Sequence, residues 1–341
     1  MHDRFSLSRV MRYDTAEVHS AYEEWPSLAG KGFAVRAEAL SGRYRRVSLL
    51  GMGGSAAAGD IIRGWLSGRQ GLEFDVYKGH IPLTDMRDTV AIACSASGGT
   101  EETIEMMKTA MARGANVVCI SSGGKLRDVA IEEGVPYIKM PEIKAPRYML
   151  PFIIFACVSL CNEVFGLGCE QECREAIEEM ERVAPGLSVR SPAGRNRAKR
   201  LASSLIGRVP KVYGTVLTRG VAVRFKNALN ENAKKHASFD VMPELFHNEV
   251  EAWEGGRGRF VPVFLSHTMD SKRESRKAER MKESLKRLGA DPITVSGSGV
   301  SSLAQLASMT YVLDYTSYYC AIGLGRDPFP TRLIDTIKSE G

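Results

Sequence analysis

The stretch Val47-Ser-Leu-Leu-Gly-Met-Gly-Gly-Ser55 constrains this chain more than any other. Val47, Leu49 and Leu50 run straight into a glycine cluster, and an alanine-rich segment over residues 56–65 follows at once. That order predicts a buried strand, a tight turn and a helix start. Gly51, Gly53 and Gly54 let the backbone approach a ligand closely. Ser55 sets a hydroxyl where the first free helix N–H groups point. Together with the positive end of the helix dipole these donors form an anion site, most naturally for phosphate. A plain strand–helix turn with no ligand has the same local pattern, because glycine-rich turns are common in α/β folds. Gly51-x-Gly53-x-x-Ala56 also fits the relaxed dinucleotide-binding turn. That reading wants an acidic residue at the end of the next strand. The apolar run over 74–77 ends at Lys78 instead, which argues against an adenosine ribose there.

Apolar runs and helical segments alternate on either side of this turn. Strands are predicted over 74–77, 89–94, 116–120 and 136–140, with helices following the hydroxyl-rich turn at 95–100 and the glycines at 123–124. Residues 1–40, anchored by Tyr22, Trp25, Leu28 and Phe33, read as helices covering this first sheet. A strongly apolar run over 149–160 is about half a membrane span and reads as a buried helix. A second series follows: strands over 210–217, 260–265 and 292–295, and helices over 219–232, 271–288 and from Ser301. Such alternation implies right-handed crossovers and parallel sheets, hence an α/β protein in two halves, 1–165 and 166–341. The similarity of the halves suggests an ancient duplication. The run Arg190-Ser-Pro-Ala-Gly-Arg-Asn-Arg-Ala-Lys-Arg200 reads as a solvated basic segment. It lacks the interleaved aromatics of a nucleic-acid arm.

A chain of 341 residues with a formal charge of +6 suits an anionic small substrate without requiring one. The seven cysteines include no C-x-x-C pair. Cys169 and Cys173 have no neighbouring histidine, so no zinc site is expected, and a reducing cytoplasm is the simple inference. The polar N-terminus has no signal-peptide core.

A second hydroxyl cluster, Ser95-x-Ser97-x-x-Thr100, ends a predicted strand just before a helix. Two such clusters on the first and third strands can face one crevice at the carboxyl edge of a parallel sheet, where α/β folds bind ligands. Hydroxyls, backbone N–H groups and a helix terminus hold a phosphate without metal.

With these residues in view, Gly51-Met-Gly-Gly-Ser55 and Ser95-Ala-Ser-Gly-Gly-Thr100-Glu-Glu-Thr103 resemble the first half of a sugar isomerase (SIS) domain. Asn230-Glu-Asn232 and Pro243-Glu-Leu-Phe-His-Asn-Glu249 are similar to the bifunctional phosphoglucose/phosphomannose isomerases of archaea and bacteria, as are Pro146-Arg147-Tyr148 and Asp327-Pro. The resemblance implies two SIS domains, each a parallel-sheet αβα sandwich, in a cytoplasmic homodimer that uses no cofactor and no metal and engages neither nucleic acid nor membrane. It implies interconversion of glucose 6-phosphate, mannose 6-phosphate and fructose 6-phosphate.

The resemblance also assigns roles. Glu231 matches the base that moves a proton between C1 and C2, a task for a carboxylate whose pKa burial can raise. His247 matches the ring-opening histidine, and Arg147 the arginine that stabilises the enediolate. Gly53, Gly54, Ser55, Ser95, Ser97 and Thr100 match the phosphate holders. Read without the resemblance, Glu231 is a surface or capping carboxylate, His247 a structural histidine, and Arg147 a helix-start arginine paired with Glu142 or with solvent. One departure stands out. Relatives read Asp-Pro-Thr-Pro near the C-terminus, with the threonine beside the sugar; this chain reads Asp327-Pro-Phe-Pro-Thr331. Phe329 takes the threonine's place, and Thr331 is the candidate substitute. This bears on how the mannose epimer is accommodated. Two rivals remain: a non-catalytic SIS sensor, which needs the phosphate site but no base, and an aminotransferring isomerase, which needs an ammonia source. The chain has no N-terminal cysteine nucleophile of a glutaminase.

Overall fold

The computed structural model describes residues 2–37, 40, 42–69, 71–81 and 84–339. Three helices, α1 (Leu7–Tyr13), α2 (Val18–Glu23) and α3 (Trp25–Phe33), precede an alternating series. It comprises β1 (Arg46–Leu50), α4 (Gly53–Leu66), β2 (Glu73–Tyr77), β3 (Thr89–Ser95), α5 (Glu101–Ala112), β4 (Asn116–Ser121), α6 (Gly124–Glu132) and β5 (Tyr137–Lys139). Helices α7 (Leu150–Phe165), α8 (Glu170–Leu187) and α9 (Arg197–Leu205) lead to the second series. This is β6 (Val209–Gly214), α10 (Arg219–Ala233), β7 (Ser238–Val241), β8 (Phe260–Ser266), α11 (Lys272–Arg287), β9 (Ile293–Ser296), α12 (Ser302–Leu324) and α13 (Arg332–Ser339).

The strands form two sheets, ordered β2-β1-β3-β4-β5 and β7-β6-β8-β9, and every pair is parallel. The second order repeats the first four strands of the first, as a duplication would leave it. In each sheet the connections leave the first strand in opposite directions, so the switch points lie between β1 and β3 and between β6 and β8. Strand β3 is buried along its whole length, which explains its unbroken apolar run. The apolar stretch over Pro146–Phe165, long and apolar enough to cross a membrane, is mostly buried within the protein. It packs beneath α3, where a β-carbon on Gly32 would fall 2.4 Å from the carbonyl oxygen of Phe152.

The halves share one apolar core. Helix α12 is buried through almost all of its 23 residues, and Asp314 is its only charge. Its tyrosines receive the N-terminal helices. The ring of Tyr22 lies 5.0 Å from that of Tyr315, and Trp25 stacks on Tyr311 at 5.4 Å. The N-terminal segment, expected to cover the first sheet, therefore reaches across to the second half. Large aromatic surfaces are worth most where they are fully enclosed, and α12 offers that enclosure.

Helices α4 and α10 cross at two glycines. A β-carbon on Gly220 would lie 2.3 Å from the carbonyl carbon of Asp60, and one on Gly64 would lie 2.2 Å from the carbonyl oxygen of Leu217. Only glycine lets the backbones approach so closely. The two helices run antiparallel, so the end of α10 extends past the start of α4.

Three sequence expectations need correction. Strand β6 stops at Gly214, because Thr215 and Thr218 bond to one another and close a turn. Strand β7 was not anticipated; its four residues carry one aromatic and no alternation strong enough to register. The basic segment is only partly solvated. Asn196 caps α9, and Lys199 is buried with its ammonium donating to the carbonyls of Val189 and Ser191, both at 2.8 Å.

Candidate active site

The first sheet builds a hydroxyl cradle at its switch point. Ser55, the third residue of α4, is buried against the end of β3; Gly51 leaves the space, since a β-carbon there would lie 2.9 Å from the carbonyl oxygen of Cys94. Burial pushes the Cys94 thiol up to about 12, opposed by the Ser55 hydroxyl beside it, so this cysteine stays a neutral packing group. From β3, Ser95 Oγ lies 2.9 Å from Thr100 Oγ1 and 3.4 Å from Ser97 Oγ; the Ser97 and Thr100 hydroxyls are 3.4 Å apart. Gly98 turns between them with φ +70 and donates its N–H to Ser95 Oγ at 3.1 Å. A β-carbon at Gly98 would fall 1.8 Å from the carbonyl oxygen of Gly123, so the turns after β3 and β4 interlock. Three hydroxyls and the start of α5 thus converge beside the start of α4, where Gly53 takes φ +51. The arrangement suits a dianionic group.

Arg147 sits on the turn Pro146–Met149 ahead of α7. Its Nε donates to Asn232 Oδ1 at 3.1 Å, and one terminal nitrogen donates to the carbonyls of Pro328 and Phe329 at 3.0 and 2.5 Å. Its guanidinium also lies over the rings of Tyr148 and Phe329, at 4.6 and 5.7 Å. Glu142 is not its partner. Phe329 therefore helps to hold Arg147, through its carbonyl and its ring face. Asn232 is buried and fully used: it donates to Tyr22 and to Ser317, each at 2.8 Å.

Glu231, half-buried on α10, lines a cleft of about 550 Å³ with Asn230, Lys234, Arg326, Asp327 and Thr331. Arg326 and Lys234 hold its rim: Arg326 donates to the carbonyls of Ala233 and Lys234, and Lys234 donates to that of Asp327 at 2.6 Å. Cations at the C-terminal end of α10 also complement its dipole. Thr331 thus shares the Glu231 cleft, whereas Phe329 packs behind it against the core. The hydroxyl cradle does not line this cleft. The two parts meet at Gly54, where a β-carbon would stand 3.8 Å from both the Cα of Arg147 and Nη1 of Arg224. Arg224 and Glu231 are seven residues apart on α10 and so share a face.

His247 lies elsewhere. Helix α10 starts at the carboxyl edge of the second sheet and ends, at Glu231, by the opposite edge; β7 then runs back, and His247 follows it on the turn Glu244–His247. Glu231 and His247 of one chain are thereby on opposite edges of that sheet, on the order of 15–20 Å apart by helix rise. His247 is exposed and makes no hydrogen bond or ion pair to the cradle, to Arg147 or to Glu231 among the described residues. Nor, among those residues, do three or more His, Cys, Asp or Glu side chains gather as metal ligands.

Sequence reasoning missed Asn232, Arg224 and Asp314. The signal was present for Asp314, one carboxylate in an otherwise uncharged 23-residue helix. It pairs with Arg224 at 2.5 Å, and both side chains are essentially inaccessible. Burial pushes the Asp314 carboxyl up and the guanidinium pulls it back. The two-pronged contact fixes the carboxyl group against Nε and Nη2, and the arginine itself does not give up its proton.

Residues 194–340 match the family model described as the bacterial phospho-glucose isomerase C-terminal SIS domain. The bifunctional phosphoglucose/phosphomannose isomerase of Aquifex aeolicus is 33% identical over 301 residues, covering 87% of this chain and 90% of the relative. The enzyme of the same description from Caldicellulosiruptor bescii is 32% identical over 333 residues, covering 95% of each chain. Among solved structures, a glucose-6-phosphate isomerase-like protein from Thermus thermophilus superimposes with a TM-score of 0.64 at 21% identity, over 100% of both chains, which is a likeness of fold. On the two sequence relationships, the chain belongs to the family of bifunctional phosphoglucose/phosphomannose isomerases.

Proposed function

We propose that this chain is a phosphosugar aldose–ketose isomerase, interconverting glucose 6-phosphate or mannose 6-phosphate with fructose 6-phosphate through an enediol(ate). The observation that carries this reading is the meeting, at Gly54, of a three-hydroxyl cradle with the α10 face that bears Glu231. A sensor needs the cradle but gains nothing from a carboxylate in an adjoining cleft.

In this reading Ser55, Ser95, Ser97, Thr100 and the N–H groups around Gly53 and Gly54 hold the phosphate. Glu231 takes the proton from C2 of the open-chain aldose and returns it to C1, while the hydroxyl proton passes from O2 to O1; no atom is gained or lost. Charge develops on O1 and O2 during the transfer. Arg147 answers it with Nη1, since its other donors are held by Asn232 and the 328–329 carbonyls. Thr331 is the hydroxyl that reaches the sugar from the cleft wall. A ring-opening proton shuttle by His247 requires a second copy of the chain, because its own cleft lies at the other edge of the sheet. That requirement supports a homodimer built from two SIS units, 1–165 and 166–341. A cytoplasmic setting fits seven buried, unbridged cysteines.

The test is a coupled assay of the purified protein with glucose 6-phosphate and mannose 6-phosphate, with EDTA throughout. Both aldoses are expected to turn over at rates EDTA does not change. Binding of fructose 6-phosphate with no turnover of either aldose overturns the enzyme in favour of the sensor. Activity lost to EDTA and restored by zinc or manganese overturns the metal-free mechanism.

A further inference from the structure

Arg224 is the most deeply buried cation of the chain, with 1% of its side chain exposed. A guanidinium carries five N–H donors. Here Nε and Nη2 donate to the Asp314 carboxylate, at 3.1 and 2.5 Å, and Nη2 also donates to the carbonyl of Arg147 at 3.0 Å. Nη1 makes no hydrogen bond among the described residues. Nη1 is not one of the fully enclosed unmet polar atoms among the described residues, so the 1% of the side chain that remains accessible lies at a donor open to a bound group.

The free amino group is aimed at a definite place. It stands 3.8 Å from the position of a β-carbon on Gly54, in the first turn of α4, with the Arg147 backbone at the same distance. The glycine leaves that space open. Three features thus converge on one spot: an unpartnered guanidinium nitrogen, the exposed amides at the start of a 14-residue helix, and the backbone of Arg147. Asp314 neutralises the net charge of Arg224 but engages only its far side. The near side keeps its directional donors.

Building on the isomerase reading, we propose that Arg224 is itself a substrate-contacting residue, whose Nη1 donates to an anionic oxygen of the bound phosphosugar beside Gly54. Through its bond to the Arg147 carbonyl, the same guanidinium fixes the turn that carries the other arginine. Two oxygens can meet Nη1, one on the phosphate and one at the enediolate, and both present the same chemistry to it.

The experiment starts from the unaltered protein, whose turnover of either aldose is established first; its absence would undo the isomerase reading rather than this inference. Arg224→Lys keeps a cation beside Asp314 but cannot reach Asp314, the Arg147 carbonyl and the substrate together. It is expected to melt as a folded protein and to lose about ten- to hundredfold in affinity for fructose 6-phosphate or in kcat, the loss typical of a charge-assisted bond. Equal weakening of inorganic phosphate binding places the contact on the phosphate; unchanged phosphate binding with a fall in kcat places it on the enediolate. A merely structural pair would lower the melting temperature and leave both values per folded molecule intact, which overturns the proposal. A crystal structure of the unaltered protein with fructose 6-phosphate decides the matter even if the variant does not fold. A substrate oxygen within about 3 Å of Nη1 is the expected result. A substrate bound in the cradle with no oxygen within reach of Nη1 overturns it.

Discussion

Replacing Gly220 by alanine tests whether the crossing of α4 and α10 sets the active geometry. The added methyl carbon would lie 2.3 Å from the Asp60 carbonyl carbon and the Ile61 nitrogen and 2.5 Å from the Asp60 oxygen. These are backbone atoms inside a helix and cannot rotate away. Ordinary contact between heavy atoms is about 3.5–4.0 Å, so the helices must part by roughly 1 Å or more. Overpacking of this kind costs about 1–3 kcal/mol, offset by roughly 1 kcal/mol of better helix propensity for alanine. The net loss of stability is therefore modest, at most about 2 kcal/mol. The effect on turnover should be larger. The crossing fixes Gly54 against Arg224 and, along the same face, Glu231, and a misplacement of about 1 Å can cost on the order of 10²-fold in rate. Urea denaturation reads the first quantity and the coupled isomerase assay the second. Gly30→Ala in α3 is the control, since a β-carbon there meets nothing within 4 Å; it should match the parent in turnover and gain up to roughly 1 kcal/mol in stability from helix propensity alone. A Gly220→Ala protein with parental kcat/KM would refute the idea that the crossing positions the site.

Glu231→Gln keeps the size of the side chain but removes the base; kcat for both aldoses should fall together by about 10²–10⁴-fold, and exchange of the C1 proton of fructose 6-phosphate in D₂O, followed by NMR, should cease. Exchange at the parental rate would remove Glu231 from the mechanism. Ser97→Ala combined with Thr100→Ala takes two of the three clustered hydroxyls, and KM for fructose 6-phosphate should rise by about 1.5–3 kcal/mol per lost charge-assisted bond; an unchanged KM moves the phosphate elsewhere. The pair Asp14–His19, at 2.8 Å, makes stability depend on pH. Bonding to Asp14 raises the His19 pKa above 6.5, against the effect of burial, so this stabilisation is complete below that pH and fades as the pH climbs through the raised value. Burial works to raise Asp14, but bonds from His19, Val18 and Tyr318 outweigh it and hold it below 3.8, so its own contribution is lost only in acid. Asp14→Asn should return His19 to its ordinary titration by NMR and flatten the stability profile above pH 6.5; an unmoved His19 titration would contradict the pairing.

The α/β class, the parallel sheets and the cradle at the carboxyl edge were legible because they rest on local signals. A buried strand such as β3 is an unbroken apolar run, and a helix start beside glycines and serines announces itself within ten residues. Glu231, Arg147 and Thr331 could be named from their short motifs, but their surroundings could not. That Arg147 would be held by the carbonyls of Pro328 and Phe329 depends on a segment some 180 residues away. Phe329, read as a lost hydroxyl, supplies a carbonyl and a ring face instead, and a backbone contribution leaves no trace in residue identity. The resemblance gave His247 a part in the same reaction as Glu231 but said nothing of where it lies. The intervening strand β7, too short and mixed to be read, carries the chain to the opposite edge of the sheet. Lys199 misled for a different reason: a charge in a basic run gives no hint that two backbone carbonyls will take it inside.

The two ends of the chain meet. Thr15 donates to Asp327 at 2.6 Å across 312 positions, Tyr318 donates to Asp14 at 2.9 Å, and Tyr311 donates to the carbonyl of Tyr22 at 2.8 Å. During synthesis, then, the first sheet and its hydroxyl cradle can form while most of the second half is still inside the ribosome or unmade, since domains tend to fold as they emerge. Tyr22 can pack on Tyr148 within the first half, at 5.3 Å between ring centres, but the faces that Tyr22 and Trp25 turn to Tyr315 and Tyr311 stay uncovered until α12 appears nearly three hundred residues later. Arg147 likewise has no carbonyls to grip before residues 328 and 329 are added. The nascent chain should thus complete its hydroxyl cradle long before Arg147 is anchored, and its partly exposed N-terminal aromatics mark the interval in which it most needs protection from aggregation.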